Sequence, residues 1–177
     1  MNLLPQTYLL GLVGLLTVVA VVVGRQLLRV RRDEARFVQL EQAGTAASRQ
    51  SADLYELGSV QLRKRLYPQA AATLKQALKR LSDEPNEARA LIENALGFAL
   101  AAQKDYDGAI KHYKLALRAK DDYPVAINNL AYAQEKLLKY EEAIKLYKKT
   151  LELEPNNSIA KKGIKKLDQA IEKLLST

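Results

Sequence analysis

The sequence contains no cysteine and no tryptophan, and it has a single histidine among 177 residues. Without cysteine the chain has no disulfide, no thiolate nucleophile and no thiolate metal site. His112 has no second histidine with which to share a metal ion, and we interpret it as a surface or edge residue. A glycine-rich phosphate loop, a Gly-x-Ser-x-Gly motif and a His-Glu-x-x-His motif are also missing. These absences predict a protein that is not an enzyme and has no cofactor, metal or small-molecule substrate.

Charged residues are absent from the first 24 positions, and Tyr8–Val23 is almost unbroken Leu, Val, Gly and Ala. At about 1.5 Å of rise per residue, residues 3–24 are long enough to cross a hydrocarbon core of about 30 Å. A cleaved signal peptide and a helix lying on the membrane surface are the alternatives. Signal peptides carry positive charge before the apolar run, whereas here the arginines follow it. We therefore predict a retained single-pass transmembrane anchor at residues 3–24.

Four arginines, Arg25, Arg29, Arg31 and Arg32, follow the apolar run and contribute half of the net charge of +8. By the positive-inside rule, they place the C-terminal part of the chain on the cytoplasmic side of the membrane or its equivalent. They can also contact anionic lipid, although an effect on topology alone is the simpler interpretation. Because so much of the charge belongs to the anchor, we predict no nucleic-acid partner.

Residues 25–50 connect the anchor to the rest of the chain. Residues 33–43 interleave charged positions with apolar ones such as Phe37, and this pattern predicts a helix that continues out of the membrane. Residues 44–48, with the sequence GTAAS, then predict a break or hinge. The sequence leaves open whether this stalk is rigid or flexible.

An internal repeat organises the remainder of the chain. With a shift of 34, seven residues fall on identical residues further along: Asn94, Leu96, Tyr106, Ala109, Ile110, Tyr113 and Leu117 on Asn128, Leu130, Tyr140, Ala143, Ile144, Tyr147 and Leu151. This period, with Leu early, Tyr and Ala in the middle and Pro155 near the end, resembles the tetratricopeptide pattern, a helix–turn–helix unit. A more diverged unit precedes these two, at a shift of 39 from the first of them.

We predict an all-α chain, in which a transmembrane helix is followed by a tetratricopeptide solenoid of three units and a C-terminal capping helix. The three units are residues 51–84, 90–123 and 124–157, and the cap is residues 158–177. One unit cannot bury its own apolar face, so about three units and a cap are needed for a stable stack. Ala109 and Ala143 are expected where two helices cross, because short side chains let the backbones approach to about 8–10 Å.

The first helices of such a stack line a concave surface on which a protein partner can bind. The groove positions of the tetratricopeptide pattern are Ala52, Tyr55, Ser59 and Leu62, then Leu91, Asn94, Phe98 and Ala101, then Val125, Asn128, Tyr132 and Glu135. Aromatic side chains beside amides predict a peptide-binding surface, although Phe98 could instead pack between helices. We expect Asn128 to lie on the open side of its helix with little packing to lose, whereas Tyr132 also supports its neighbours.

Three stretches and their order suggest a particular family. They are YELGSVQLRKRLYPQA, NALGFALAAQKDYDGAIKHYKLAL and NNLAYAQEKLLKYEEAIKLYKKTLELEPNN, and they come after an apolar anchor that is followed by arginines. Over nearly its whole length the chain resembles the short, membrane-anchored tetratricopeptide proteins of cyanobacteria and plastids that assist photosystem I assembly and accumulation. The resemblance implies a thylakoid protein with its repeats on the stromal or cytoplasmic side, and protein partners such as photosystem I subunits or another assembly factor.

The first unit also argues against one function of related proteins. Some tetratricopeptide proteins hold the C-terminal carboxylate of a chaperone with a charged clamp that needs Lys and Asn, where this chain has Tyr55 and Ser59. We therefore do not predict a co-chaperone of Hsp70 or Hsp90. We predict a non-enzymatic, membrane-tethered scaffold that assists assembly or stability of photosystem I. The alternative is a generic membrane-anchored adaptor in another bacterial envelope or secretion complex.

Overall fold

A computed structural model describes residues 4–42, 50–81 and 85–175, and within these ranges the secondary structure is helical, without strands. The helices are α1 (Leu4–Gln42), α2 (Ser51–Arg63), α3 (Tyr67–Lys79), α4 (Asn86–Ala102), α5 (Tyr106–Ala119), α6 (Pro124–Lys136), α7 (Tyr140–Leu153) and α8 (Ser158–Leu175). The predicted hinge at residues 44–48 lies outside the described residues. Two compact units result, residues 1–43 and residues 44–177.

The first unit is built on α1. This helix runs without interruption through the apolar run, past the arginines and on to Gln42. Its part from Tyr8 to Leu40 is long and apolar enough to cross a membrane, judged by length and composition. The large apolar side chains of this run, from Tyr8 to Val23, are exposed along the helix. A helix of this kind needs lipid or another apolar environment to cover its side chains.

The second unit is a stack of three helical pairs, α2/α3, α4/α5 and α6/α7, followed by α8. Each helix packs against the next one along the chain, and the first helices of successive pairs, α2, α4, α6 and finally α8, also contact one another. The predicted all-α solenoid of three repeats and a cap is confirmed. Because the first helices are neighbours, their outward side chains form one continuous surface.

Small residues lie at the helix crossings within each pair. Ala70, Ala109 and Ala143 are fully buried at equivalent places in the three units. In the second pair the packing is closer still, because a Cβ atom at Gly97 would lie 2.6 Å from the ring of Tyr113. Tyr113 therefore lies across the backbone of α4, in the space that glycine leaves open.

The turn between the two helices of each pair has a left-handed residue. Arg65, Lys104 and Leu138 have φ angles of 60°, 68° and 60°, and they occupy the same place in the three units. In the second unit, the backbone N–H of Lys104 donates to the carbonyl of Ala101 at 2.9 Å, and the next N–H donates to the carbonyl of Leu100 at 3.0 Å. These bonds satisfy carbonyls that the end of α4 would otherwise leave free.

Candidate functional site

A cavity of about 390 Å³ opens between α4, α6 and α8, on the surface formed by the first helices. Phe98, Tyr132 and Ile159 line it and are respectively 44%, 44% and 62% exposed. Tyr113 and Tyr147, which are almost fully buried, also line it. The cavity is mostly apolar, and Phe98 lies on its wall with nearly half of its surface open. Exposed aromatic side chains around a concave apolar site are the features of a surface that binds another molecule.

Phenol groups make up part of the polar surface of this cavity. Burial raises the pKa of Tyr113 above its usual value, and the ring of Tyr132 adds to the effect. Burial and the neighbouring carboxyl of Glu135 raise the pKa of Tyr147 in the same direction. Both phenols are therefore neutral at physiological pH, and the cavity gains no charge from them.

The amides predicted to lie on the open groove are held within the protein instead. Asn128 is only 6% exposed, and its Nδ2 donates to Oδ1 of Asn157 at 3.2 Å. Asn157 also accepts from the backbone N–H of Ala160 at 3.0 Å, which ties it to the first turn of α8. The expectation that Asn128 has little packing to lose is wrong, because its amide joins α6 to the loop before the cap.

Asn94 has the equivalent role one unit earlier. Its Nδ2 donates to the hydroxyl of Tyr123 at 3.4 Å, and its Oδ1 accepts from Nδ2 of Asn129 at 3.0 Å. Each of the two amides therefore binds a residue 29 positions further along the chain. For Asn94 this residue directly precedes the third unit, and for Asn128 it directly precedes the cap. Asn128 still lines the cavity, and its own Oδ1 accepts no hydrogen bond from the described residues. That oxygen is itself buried.

Glu135 is the other polar groove residue that the structure buries. It is 8% exposed; its Oε1 lies 2.5 Å from Nζ of Lys166 on α8, and its Oε2 accepts from the hydroxyl of Tyr147 at 3.5 Å. The hydrogen bond with Glu135 and the carboxylate charge raise the pKa of Lys166 above its usual value. Through these contacts Glu135 links the third unit to the cap. Its carboxylate is already paired, so we do not expect it to bind a partner.

The remaining predicted groove residues lie on the helices that form this surface. Leu91 and Val125 are 41% and 53% exposed. Tyr55, Ser59 and Leu62 of the first unit are partly buried. Tyr55 and Leu91 line a separate small cavity of about 100 Å³ between α2 and α4. The larger cavity therefore belongs to the second and third units and the cap, and the first unit contributes nothing to its lining.

Five residues that line this cavity were not among the predicted groove positions: Ala102, Tyr113, Asn129, Tyr147 and Ile159. Ile159 lies in the predicted cap, residues 158–177, outside the three units from which the groove positions are taken. A shift of 34 from Val125 arrives at Ile159, so extending the repeat register into α8 would have predicted it. Asn129 lies one position beyond the groove pattern and had no such signal.

The sequence analysis also did not predict a buried pair of polar side chains between α4 and α5, outside the groove. The carboxyl of Glu93 on α4 is 6% exposed, and its Oε2 lies 2.6 Å from Nδ1 of His112 on α5. His112 is 18% exposed in its side chain and has a specific partner, which corrects its interpretation as a surface or edge residue. Among the described residues, no three His, Asp or Glu side chains are grouped closely enough to hold a metal ion.

Comparison with known proteins identifies the class. One tetratricopeptide-repeat model matches residues 124–157, and a second one matches residues 55–124. Among solved structures, the first tetratricopeptide domain of Spaghetti (RPAP3), bound to the HSP90 peptide SRMEEVD, has a TM-score of 0.64 and is 26% identical. The match covers 70% of this chain and 94% of that domain. The fold and the concave surface are those of a tetratricopeptide-repeat protein.

Two curated relatives narrow the class to a family. The ycf37 protein of Cyanophora paradoxa is 34% identical over 119 residues, covering 67% of this chain and 69% of that protein. A chloroplastic tetratricopeptide protein of Arabidopsis thaliana, PYG7, is 32% identical over 155 residues, which are 88% of this chain. This chain spans about half (51%) of the length of the Arabidopsis protein. The chain belongs to the Ycf37 family of tetratricopeptide proteins.

Proposed function

We propose that this chain is a membrane-tethered scaffold that assists the assembly or stability of photosystem I by holding a protein partner. The observation that carries the proposal is membership of the Ycf37 family, with a chloroplastic relative that matches 88% of the chain. Proteins of this kind, as the sequence resemblance implies, serve photosystem I assembly in cyanobacteria and plastids. The bound partner is then a photosystem I subunit or another assembly factor.

The cavity between α4, α6 and α8 is the proposed place of partner binding. Phe98, Tyr132 and Ile159 offer apolar surface that is open to solvent. An apolar side chain of the partner would fill the cavity. Filling such a cavity removes apolar surface from water.

The anchor places this surface next to the membrane. We propose that residues 3–24 span the thylakoid membrane, that residues 25–50 form the stalk, and that the repeats of residues 51–157 with the cap lie on the cytoplasmic or stromal side. The long apolar α1 and the arginines after it support this arrangement. The adaptor in another envelope or secretion complex would have the same tether and groove, but the chloroplastic relative favours the photosystem.

Affinity capture from detergent-extracted membranes of a photosynthetic host tests the proposal. We expect the tagged full chain to bring down photosystem I subunits or their assembly factors. The double variant Phe98→Ala with Tyr132→Ala should reduce the captured amount at least tenfold, because it removes two exposed aromatic contacts of the cavity. Its melting temperature should stay close to that of the wild type, since both side chains are nearly half exposed.

The matched control is Leu153→Ala. Leu153 is 43% exposed, like the two aromatic residues, but it ends α7 and does not line the cavity. This variant should capture the same proteins as the wild type. Normal capture by the aromatic double variant would overturn the cavity as the binding site, and capture without any photosystem I component or assembly factor would overturn the function.

A further inference from the structure

Three arginines of α1 share one face of the helix just after the apolar run. Arg25, Arg29 and Arg32 are spaced by four and three residues, so at about 100° per residue they fall within an arc of about 60°. Together with Leu28 they line a cleft of about 370 Å³. Arg31, although nearest to Arg32 in sequence, lies on another face. The positive-inside rule depends on how many positive residues follow the apolar run and not on which face of the helix they occupy. It therefore does not explain why these three arginines share one face.

The depth of these arginines suits the headgroup layer of a membrane. Arg25 is the first charged residue after the apolar run, and Arg32 lies about 10 Å further along the helix axis. The headgroup layer on each side of a bilayer is roughly 5–7 Å thick. Side chains of an α-helix lean towards its N-terminus, which for α1 is the direction of the membrane. Arg29 and Arg32 therefore extend back towards the headgroups.

We propose that Arg25, Arg29 and Arg32 form a binding site for the phosphate or sulfonate headgroup of an anionic lipid. This proposal rests on the proposed membrane anchor. Each guanidinium presents a planar fork of N–H donors that matches two oxygens of a tetrahedral oxyanion. Three guanidinium groups line the cleft, and the nearest acidic residues in sequence, Asp33 and Glu34, follow Arg32. A lipid bound there fixes the rotation of α1 about its axis and its depth in the membrane.

The test measures the preference of the full chain for anionic lipid in reconstituted vesicles. Spin-labelled phosphatidylglycerol and spin-labelled phosphatidylcholine report how strongly each lipid associates with the protein. The wild type should prefer the anionic lipid. Arg29→Gln should reduce the preference roughly fivefold, the effect of about one charge–headgroup contact. Arg31→Gln, which removes the same charge two residues away on another face, should change it less than twofold.

A second variant keeps the net charge constant. Arg29→Gln combined with Gln26→Arg moves the arginine off the common face by about 60° or more, and it should lose the preference as Arg29→Gln does. Equal losses for Arg29→Gln and Arg31→Gln, or full preference in the charge-relocated variant, would overturn the site in favour of bulk attraction.

Flotation separates this proposal from the anchor on which it rests. The chain should float with neutral phosphatidylcholine vesicles and resist alkaline extraction, whichever arginine is changed. A chain that does not float would overturn the anchor, and the lipid site with it. A chain that floats but shows no preference for phosphatidylglycerol would overturn the lipid site alone.

Discussion

Single side chains decide how the units of this solenoid are joined. Asn94 and Asn128 each donate a hydrogen bond to the residue before the next unit, and Glu135 joins the third unit to Lys166 of the cap. These are polar residues on the first helices, where the sequence pattern predicts ligand contacts. The groove is therefore more apolar than its sequence indicates, and Phe98 and Tyr132 are the exposed aromatic side chains that line its cavity.

Glu93 and His112 provide a prediction about stability. His112→Ala should lower the free energy of unfolding by about 1–3 kcal/mol, because the buried carboxyl of Glu93 then loses its partner at 2.6 Å. The measurement is urea denaturation of the full chain in detergent, followed by circular dichroism.

A double-mutant cycle separates the pair from general packing. In the background Glu93→Gln, the change His112→Ala should cost clearly less, since a neutral amide is buried more cheaply than a carboxylate. Lys111→Ala, the exposed neighbour of His112, should be nearly neutral. Equal costs of His112→Ala in both backgrounds would show that Glu93 and His112 do not stabilise each other.

At the residue scale, the sequence could predict which residues lie at groove positions but not which residues they bond to. The repeat pattern identified the groove positions, yet the hydrogen-bond partners of Asn94 and Asn128 lie 29 residues away, in loops. The nearest charge of opposite sign to Glu93 in sequence is Arg89, four residues earlier on α4, which is the usual spacing of an ion pair within a helix. The partner in the structure is His112 on α5 instead. Such pairs depend on how two helices are rotated against each other, and the repeat pattern does not specify that rotation.

At the scale of helices and turns, the turn between the two helices of each pair has the same backbone strain in all three units. Arg65, Lys104 and Leu138 adopt the left-handed conformation with a Cβ atom, which costs roughly 1–2 kcal/mol relative to glycine. Lys104→Gly should remove this strain and so raise the free energy of unfolding. The greater conformational freedom of glycine in the unfolded chain offsets part of the gain, and we expect a net increase of about 0.5–1 kcal/mol. Chemical denaturation of the full chain measures this change.

Lys104→Ala is the matched control for that prediction. Alanine keeps the Cβ atom but removes the long side chain, so this variant should not be stabilised. Were Lys104→Gly less stable than the wild type, the left-handed turn would not be strained. A gain of the same size in both variants would point to the lysine side chain instead of the backbone.

The helices themselves were largely predictable, whereas the turns were not. Period, small residues and buried tyrosines specify the pairs, because close helix packing requires these residue types at these places. The fully buried Ala109 and Ala143 confirm this reasoning. The left-handed turns had no signal, since none of the three positions is Gly or Asn, the residues that normally mark this conformation.

At the scale of the whole molecule, the chain combines a long apolar helix with a solenoid whose first helices form an apolar cavity of about 390 Å³. With the membrane anchor that we propose, the repeats would be confined to a thin layer beside the membrane. Tethering through a short linker raises the effective concentration towards a membrane-embedded partner into the millimolar range. A cavity of modest intrinsic affinity then suffices for capture, and neither part is expected to work alone.

The most direct test of this account is the level of photosystem I in a photosynthetic host whose own copy has been replaced. The full chain should restore photosystem I. Residues 33–177 without the anchor should stay folded but restore it poorly, and replacing residues 3–24 by an unrelated apolar span should restore it again, because tethering is what the anchor supplies. Full restoration by residues 33–177 alone would contradict the account.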